Sequence, residues 1–406
     1  MANPAYAPLP DLCPAIEAMQ PAILERYHAL HRIPEVGLSL PRTVAYVTAQ
    51  LDALSIPYEV LPEASGIVAT LGSGSGPVIG IRADMDALAV KEDSGLPFAA
   101  EGCDAMHACG HDAHTAMLLT AAEYLKPMED KLPGKLVLLF QTAEEPLKGA
   151  LHMIEQGVLE RYPLDFLLAL HAGSFCGPAF ASGDIVLSRK LTFFSSDSIR
   201  ITVRGKGGHA ASPHNSVDPI LTAAHILEAL QQVAAREVSP HIPKVISITH
   251  LHAGAPTYNV IPDEALLMGG IRTTDPETRA FLVKRAEEVC RQTAAAMRAN
   301  VDFEIVEGCP ALANDPVVAD RVFDSVSELF PGRVHWMPEA NTCSEDCSYF
   351  FERVPGCYLF LASMGLHPDD GQLYPHHNAR FRLDETVLWR GAAAIIRSAW
   401  DLMHEA

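Results

Sequence analysis

Three short, unbroken apolar runs constrain this chain more than any other feature, because each leads into a carboxylate or an imidazole. They are residues 78–82 before Asp84 and Asp86, residues 136–140 before Glu144 and Glu145, and residues 166–170 before His171. An apolar run of strand length without alternation suits a strand buried on both faces of a sheet, with helices packed outside. An ionisable group directly after such a strand is costly unless it is paired or binds a metal. The pattern predicts an α/β domain whose strands deliver polar side chains to one edge, where open α/β sheets form their sites.

The rest of the chain divides around this core. Apolar positions at helical spacing predict helices over 14–32, 43–54, 111–125, 317–329 and 385–403, and residues 67–71 and 357–362 read as further strands. Between about 190 and 306 the rhythm changes to strand 198–204, helix 219–236, strands 245–250 and 266–272, helix 277–297 and strand 301–306. That β-α-β-β-α-β order is the split βαβ, or ferredoxin-like, pattern. The expected organisation is an α/β domain with a mainly parallel sheet, built from 1–189 and 307–406, and an inserted α+β domain over 190–306. A length of 406 residues, 49% of them hydrophobic, agrees with two cores, since one core stops growing near ~250–300 residues.

Thirty basic against fifty acidic residues, a formal charge of −20, argue against nucleic-acid or anionic-membrane partners. The nine cysteines are irregularly spaced and odd in number, unlike a disulfide framework. Residues 1–8 lack a basic segment followed by an apolar one, so no signal peptide is expected, and no apolar run reaches the ~18–20 residues of a membrane span. A cytoplasmic soluble protein is the simplest expectation.

Two more clusters join the three strand ends: Met106-His-Ala-Cys109-Gly-His111-Asp112-Ala-His114 at the entry to a helix, and Pro375-His376-His377 near the carboxyl end. Taken singly, an Asp-x-Asp is usually a turn or cap, a Glu-Glu a solvated face, and a histidine on a strand a satisfied core residue. Their convergence on one sheet edge outweighs those readings. A thiolate, imidazoles and carboxylates suit zinc or another divalent transition ion and exclude an all-oxygen calcium cage. If Glu144 and Glu145 continue the strand, they point to opposite sides, so one can bind metal while the other faces substrate as a base. There are more candidate ligands than one ion needs. Two ions sharing Cys109 as a bridge fit the set.

These segments, with Arg82-Ala-Asp-Met-Asp-Ala-Leu, Phe140-Gln-Thr-Ala-Glu-Glu, Gly205-Lys-Gly-Gly-His-Ala-Ala and Asn259-Val-Ile-Pro, resemble the metal-dependent amidohydrolases. That family includes hippurate hydrolase, indole-3-acetyl-amino-acid hydrolases and N-acyl-amino-acid deacetylases, relatives of aminoacylases and carboxypeptidases. The resemblance runs from about His31 to His377. It implies a zinc-peptidase-like catalytic domain and an inserted lid and dimerisation domain. It implies Cys109, His111, Glu145, His171 and His377 as ligands of two divalent ions, zinc or manganese, with cobalt or nickel open. Glu144 would be the general base, with Asp84 and Asp86 orienting ligands and His376 lining the pocket. His209 of one subunit of a homodimer would reach the other's site to stabilise the oxyanion. Asn259 and Arg272 would bind the substrate's carbonyl and carboxylate. Taken alone, the glycine-rich turn at His209 is more often only a turn, and Arg272 could serve as a structural ion pair. The activity implied is hydrolysis of N-acyl amino acids to a carboxylic acid and a free amino acid. The alternatives are a dipeptidase or carboxypeptidase of the same superfamily and, less readily, a non-catalytic binding homologue.

Overall fold

The computed structural model describes residues 9, 11–177 and 179–404. The segment 1–8, read as lacking a leader, lies outside the described residues. The chain divides into two compact units. One comprises Met1–Thr192, Ala313–Asn341 and Asp346–Ala406, the other Phe193–Leu312 and Thr342–Glu345. No helix among the described residues is long and apolar enough to cross a membrane.

An eight-stranded sheet forms the middle of the first unit. Its strands lie in the order Tyr58–Val60, Gly66–Leu71, Lys135–Gln141, Val78–Asp84, Phe166–Gly173, Gly356–Ala362, Ile185–Leu187 and Val334–Trp336. The four strands from Lys135–Gln141 to Gly356–Ala362 run parallel to one another, and antiparallel strands extend them on both sides. Their central residues are almost wholly buried, as the unbroken apolar runs predict. Three short strands, Tyr58–Val60, Ile185–Leu187 and Val334–Trp336, are only three residues long each, too short to stand out as runs, and are absent from the sequence expectation.

Helix His111–Leu125 is buried along nearly its whole length, packed against strand Val78–Asp84 and helices Gln20–His31 and Leu388–His404. A helix with apolar residues all round belongs inside a layered domain. It begins at Gly110, whose φ of 88° is a left-handed conformation that costs glycine little. The expected helix 14–32 is two helices, Leu12–Ala18 and Gln20–His31, with Pro21 near the start of the second. Helix Pro41–Ala53 has a leucine at its N-cap, and the Glu35 carboxylate takes over by accepting from the amides of Arg42 (3.2 Å) and Thr43 (2.8 Å).

The second unit holds a four-stranded antiparallel sheet in the order Lys244–Ala253, Glu264–Thr273, Asp197–Arg204, Asn300–Glu307. Helices Pro219–Arg236 and Pro276–Ala296 complete it. In chain order this is β-α-β-β-α-β, the split βαβ arrangement. Strand Asp197–Arg204 alternates buried and exposed residues, so one sheet face carries the core and the other is open.

Helix Gln20–His31 is tied to the buried helix by a charged contact. His31 Nδ1 lies 2.6 Å from Asp112 and its Nε2 lies 3.0 Å from Glu92. Burial alone would push the imidazole down. The hydrogen bonds to Asp112 and Glu92 outweigh it and lift His31 from 6.5 to about 9. A folded value above the unfolded one means the protonated ring stabilises the fold below about 6.5, and that stability is lost as pH rises through about 9. A change of that size corresponds to roughly 3 kcal/mol. The thermal midpoint should therefore fall more steeply through pH 9 in the native protein than in His31→Asn; parallel melting curves would remove His31 as the source.

Candidate metal centre

Four segments bring polar side chains to the carboxyl ends of the parallel strands, and a fifth arrives from residues 375–381. Strand Val78–Asp84 ends in Asp84, with Asp86 two residues on. Strand Lys135–Gln141 is followed by a turn in which Ala143 has φ 54°. That left-handed residue takes the chain out of the strand before Glu144 and Glu145. The alternation expected of a continuing strand therefore fails, and both carboxylates reach the same neighbour, His111. His171 lies inside strand Phe166–Gly173 rather than after it, because pairing with Phe360 continues past the last apolar residue.

The Asp86 carboxylate organises the turn. Its Oδ1 accepts from the amide of Glu144 and its Oδ2 from the amide of Glu145, both at 3.1 Å. His111 Nδ1 faces the same residue, 3.0 Å from its carbonyl oxygen and 3.3 Å from Oδ1. With the Nδ1 proton committed to Asp86, Nε2 of His111 is left with a lone pair for a metal. It sits 3.9 Å from Glu144 Oε2 and 3.8 Å from Asp84 Oδ2, beyond hydrogen-bond range.

The donor atoms fall into overlapping groups. Cys109, His111 and His171 form one and Cys109, Glu145 and His377 another, while Glu144 joins His111 and Glu145 in a third. Cys109 Sγ is 3.5 Å from His171 Nε2, and His377 Nε2 is 3.3 Å from Glu145 Oε2. All five expected ligands thus come together, and the thiol is shared by two groups. The fit to divalent ions is visible in two buried atoms without hydrogen-bond partners, His111 Nε2 and Glu145 Oε1. Leaving such atoms unpaired in a protein interior is costly, whereas an ion would satisfy both.

Electrostatics in the cluster are strongly perturbed. Burial raises Glu145 to about 7 against the pull of His111. Burial also opposes charge on His111, yet Asp84, Asp86 and Glu145 together bring it to about 10, and the same carboxylates would favour a metal cation in place of the proton on Nε2. His171 is held well below its ordinary value by burial and the nearby His114 and His376 rings, so it is neutral and able to ligate.

His376 and His377 separate cleanly. His377, at φ 66°, turns toward Glu145, whereas His376 accepts the Ser174 amide at 2.9 Å and stacks on Phe175 with ring centroids 4.2 Å apart. A Cβ on Gly173 would come within 2.3 Å of the His376 ring, so this packing requires glycine there. His376 joins none of the donor groups.

Both carboxylate oxygens of Asp84 are engaged within the protein. It accepts from Arg82 (2.6 Å) and pairs with His114 Nδ1 (2.5 Å), while His114 Nε2 accepts the Ala172 amide (2.8 Å). Both nitrogens of His114 are therefore used within the protein. Arg82 further donates to Gln141 and to Asp346, and Asp346 also accepts the Ala150 amide. His114 belongs to the cluster singled out in the sequence, but its pairing with Asp84 and the Ala172 amide, like the role of Asp346, could not be read there, since the partners lie far away along the chain.

His209, Asn259 and Arg272 belong to the second unit. Gly208–His209 pairs with Val260–Ile261, and the Ala210 amide donates to the Asn259 carbonyl at 3.0 Å, so His209 and Asn259 share one exposed ribbon. His209 Nδ1 accepts the Ala211 amide at 3.1 Å, which leaves the proton on Nε2. Arg272 donates to Thr342 and Ser344 and pairs with no carboxylate among the described residues, so it is not a structural ion pair.

The profile of peptidase family M20/M25/M40 matches residues 80–401. The N-acetyl-L-cysteine deacetylase of Bacillus subtilis is 34% identical over 375 residues, covering 92% of this chain and 86% of that protein. The hippurate hydrolase of Campylobacter jejuni is 33% identical over 387 residues, covering 94% and 97%. Among solved structures, a dinuclear metal binding peptidase of the M20 family from Bacillus subtilis has a TM-score of 0.80 at 28% identity, with 95% and 99% covered.

The Asp86 geometry makes a prediction. Asp86→Asn places a donor where three donors already converge, and metal affinity should fall by about 10–100-fold. Metal content after dialysis against a graded chelator measures it, and native affinity in the variant would show that Asp86 does not set the ligands.

Proposed function

We infer, from the fact that this chain belongs to peptidase family M20/M25/M40, which residues carry its chemistry. It is a metal-dependent hydrolase acting on the amide bond of N-acyl amino acids, with a carboxylic acid and a free amino acid as products. The observation that carries the residue assignment is the pair of donor groups sharing Cys109, with Glu144 beside them.

Cys109, His111, Glu145, His171 and His377 would hold two divalent ions, zinc or manganese, with cobalt or nickel compatible with the same donors. Such ions supply Lewis-acid polarisation of the amide carbonyl and lower the pKa of a water molecule. Glu144 would take a proton from the attacking water at its carboxylate and return it to the leaving nitrogen, which must be protonated to depart. Asp86 keeps His111 and the Glu144–Glu145 turn in register throughout. Asp84 acts at one remove, fixing His114 and Arg82.

The second unit supplies the remaining contacts in this reading. His209, with its Nε2 proton free, donates to the developing oxyanion. Asn259 binds the substrate carbonyl and Arg272, lacking an internal counter-ion, binds the carboxylate of the amino-acid half. These groups act as a lid across the subunits of a homodimer. His376 lines the pocket rather than ligating. Nine cysteines, odd in number and irregularly spaced, support a reducing, cytoplasmic setting.

Two experiments test this. Glu144→Gln should keep its ions while kcat/KM falls about 10²–10⁴-fold; near-native turnover would overturn the base assignment. Amine release from N-acyl amino acids and dipeptides, with manganese or zinc and again with chelator, should reveal chelator-sensitive cleavage of the acyl amino acids. Cleavage of dipeptides alone would favour the peptidase reading.

A further inference from the structure

On the edge strand of the second unit the chain changes face. In Lys244–Ala253 the residues packed against the core are Ile246 and Ile248, then Ala253. Even positions give way to odd because the register with the neighbouring strand shifts between Ile248 and His250. Without that bulge His250 and His252 would point into the apolar core. With it they lie exposed on the open sheet face, where a bulge commonly re-aims side chains.

Two imidazoles and a thioether share that face. His250 and His252 are two residues apart on a strand, so they share a face. Their rings are nearly parallel, at 21°, with centroids 6.4 Å apart. His250 is directly opposite Met268 on the adjacent strand. Met268 is exposed to 39%, and its neighbours Leu267 and Ala265 face the core. The same face carries Arg200, opposite Met268, with Glu304 3.9 Å from it, and Glu264 with Arg204, 3.2 Å apart, so each guanidinium is offset by its own carboxylate.

We propose that His250, His252 and Met268 form a binding site for a cuprous ion on the open face of the second unit. The thioether is a soft donor that favours Cu(I), and the set holds no carboxylate, unlike the Cys, His and Glu cluster of the first unit, whose harder donors suit divalent ions. Closing the set asks only for rotation of exposed side chains, which is fast and unopposed by packing. The backbone register already supplies the spacing, since directly opposed residues have Cβ atoms about 4.5–5.5 Å apart.

The test uses the full-length enzyme loaded with its catalytic ions, kept anaerobic and reduced, and titrated with Cu(I) buffered by bicinchoninate. One Cu(I) per chain should transfer to the native protein while the catalytic ions stay bound and amide hydrolysis is unchanged. His250→Asn with His252→Asn should abolish that transfer, and Met268→Leu should weaken it about tenfold and remove sulfur from the copper X-ray absorption spectrum. No transfer to the native protein, equal transfer to the double variant, or uptake only with loss of the catalytic ions would each overturn the proposal.

Discussion

One carboxylate underlies the arrangement of the metal centre. Asp86 follows a buried parallel strand and is itself buried, so its charge must be met by donors. It finds three: two successive amides of the Glu144–Glu145 turn and the Nδ1 proton of His111. Each bond lowers the cost of burying the carboxylate, and each also orients a different part of the site. The left-handed turn at Ala143 persists because these contacts hold it.

Around that centre a second buried network carries the remaining charge. Arg82 bridges Asp84, Gln141 and Asp346, joining two adjacent strands to the amino end of helix Gly149–Glu155. A buried ion pair contributes little net stability over an apolar replacement, but losing one partner leaves an unpaired charge in the interior. The network therefore acts on geometry more than on stability. His114 extends it by receiving the Ala172 amide next to His171, so strand Phe166–Gly173 is positioned from the helix side as well as from the sheet.

Much of this was legible before any coordinates, for reasons that differ from element to element. Strands 78–82, 136–140 and 166–170 announce themselves because burial on both faces demands unbroken apolar runs. The β-α-β-β-α-β order of the inserted segment is readable because one open sheet face gives period-two alternation and the helices a 3.6-residue one. The chemistry-bearing residues are readable because soft and hard donors follow those strands directly. What stays hidden depends on contacts between distant segments. The short strands Tyr58–Val60, Ile185–Leu187 and Val334–Trp336 are held by neighbours rather than by their own pattern. The common direction of Glu144 and Glu145 rests on Asp86, far off in sequence, and the Glu35 cap on helix Pro41–Ala53 belongs to no local motif. The partnership of Asp346 with Arg82 and Gln141 crosses the whole inserted segment.

The sheet itself has a consequence in time. Strand Phe166–Gly173, which carries His171, pairs on its other side with Gly356–Ala362, and His377 follows that strand in the chain. During synthesis the amino-terminal strands can collapse on one another and the inserted unit can fold by itself, since domains generally fold as units. The half-built sheet then waits on the ribosome with one strand edge bare and His377 not yet made. Such an edge invites wrong partners, so a nascent chain paused before residue 356 is the species most in need of a chaperone.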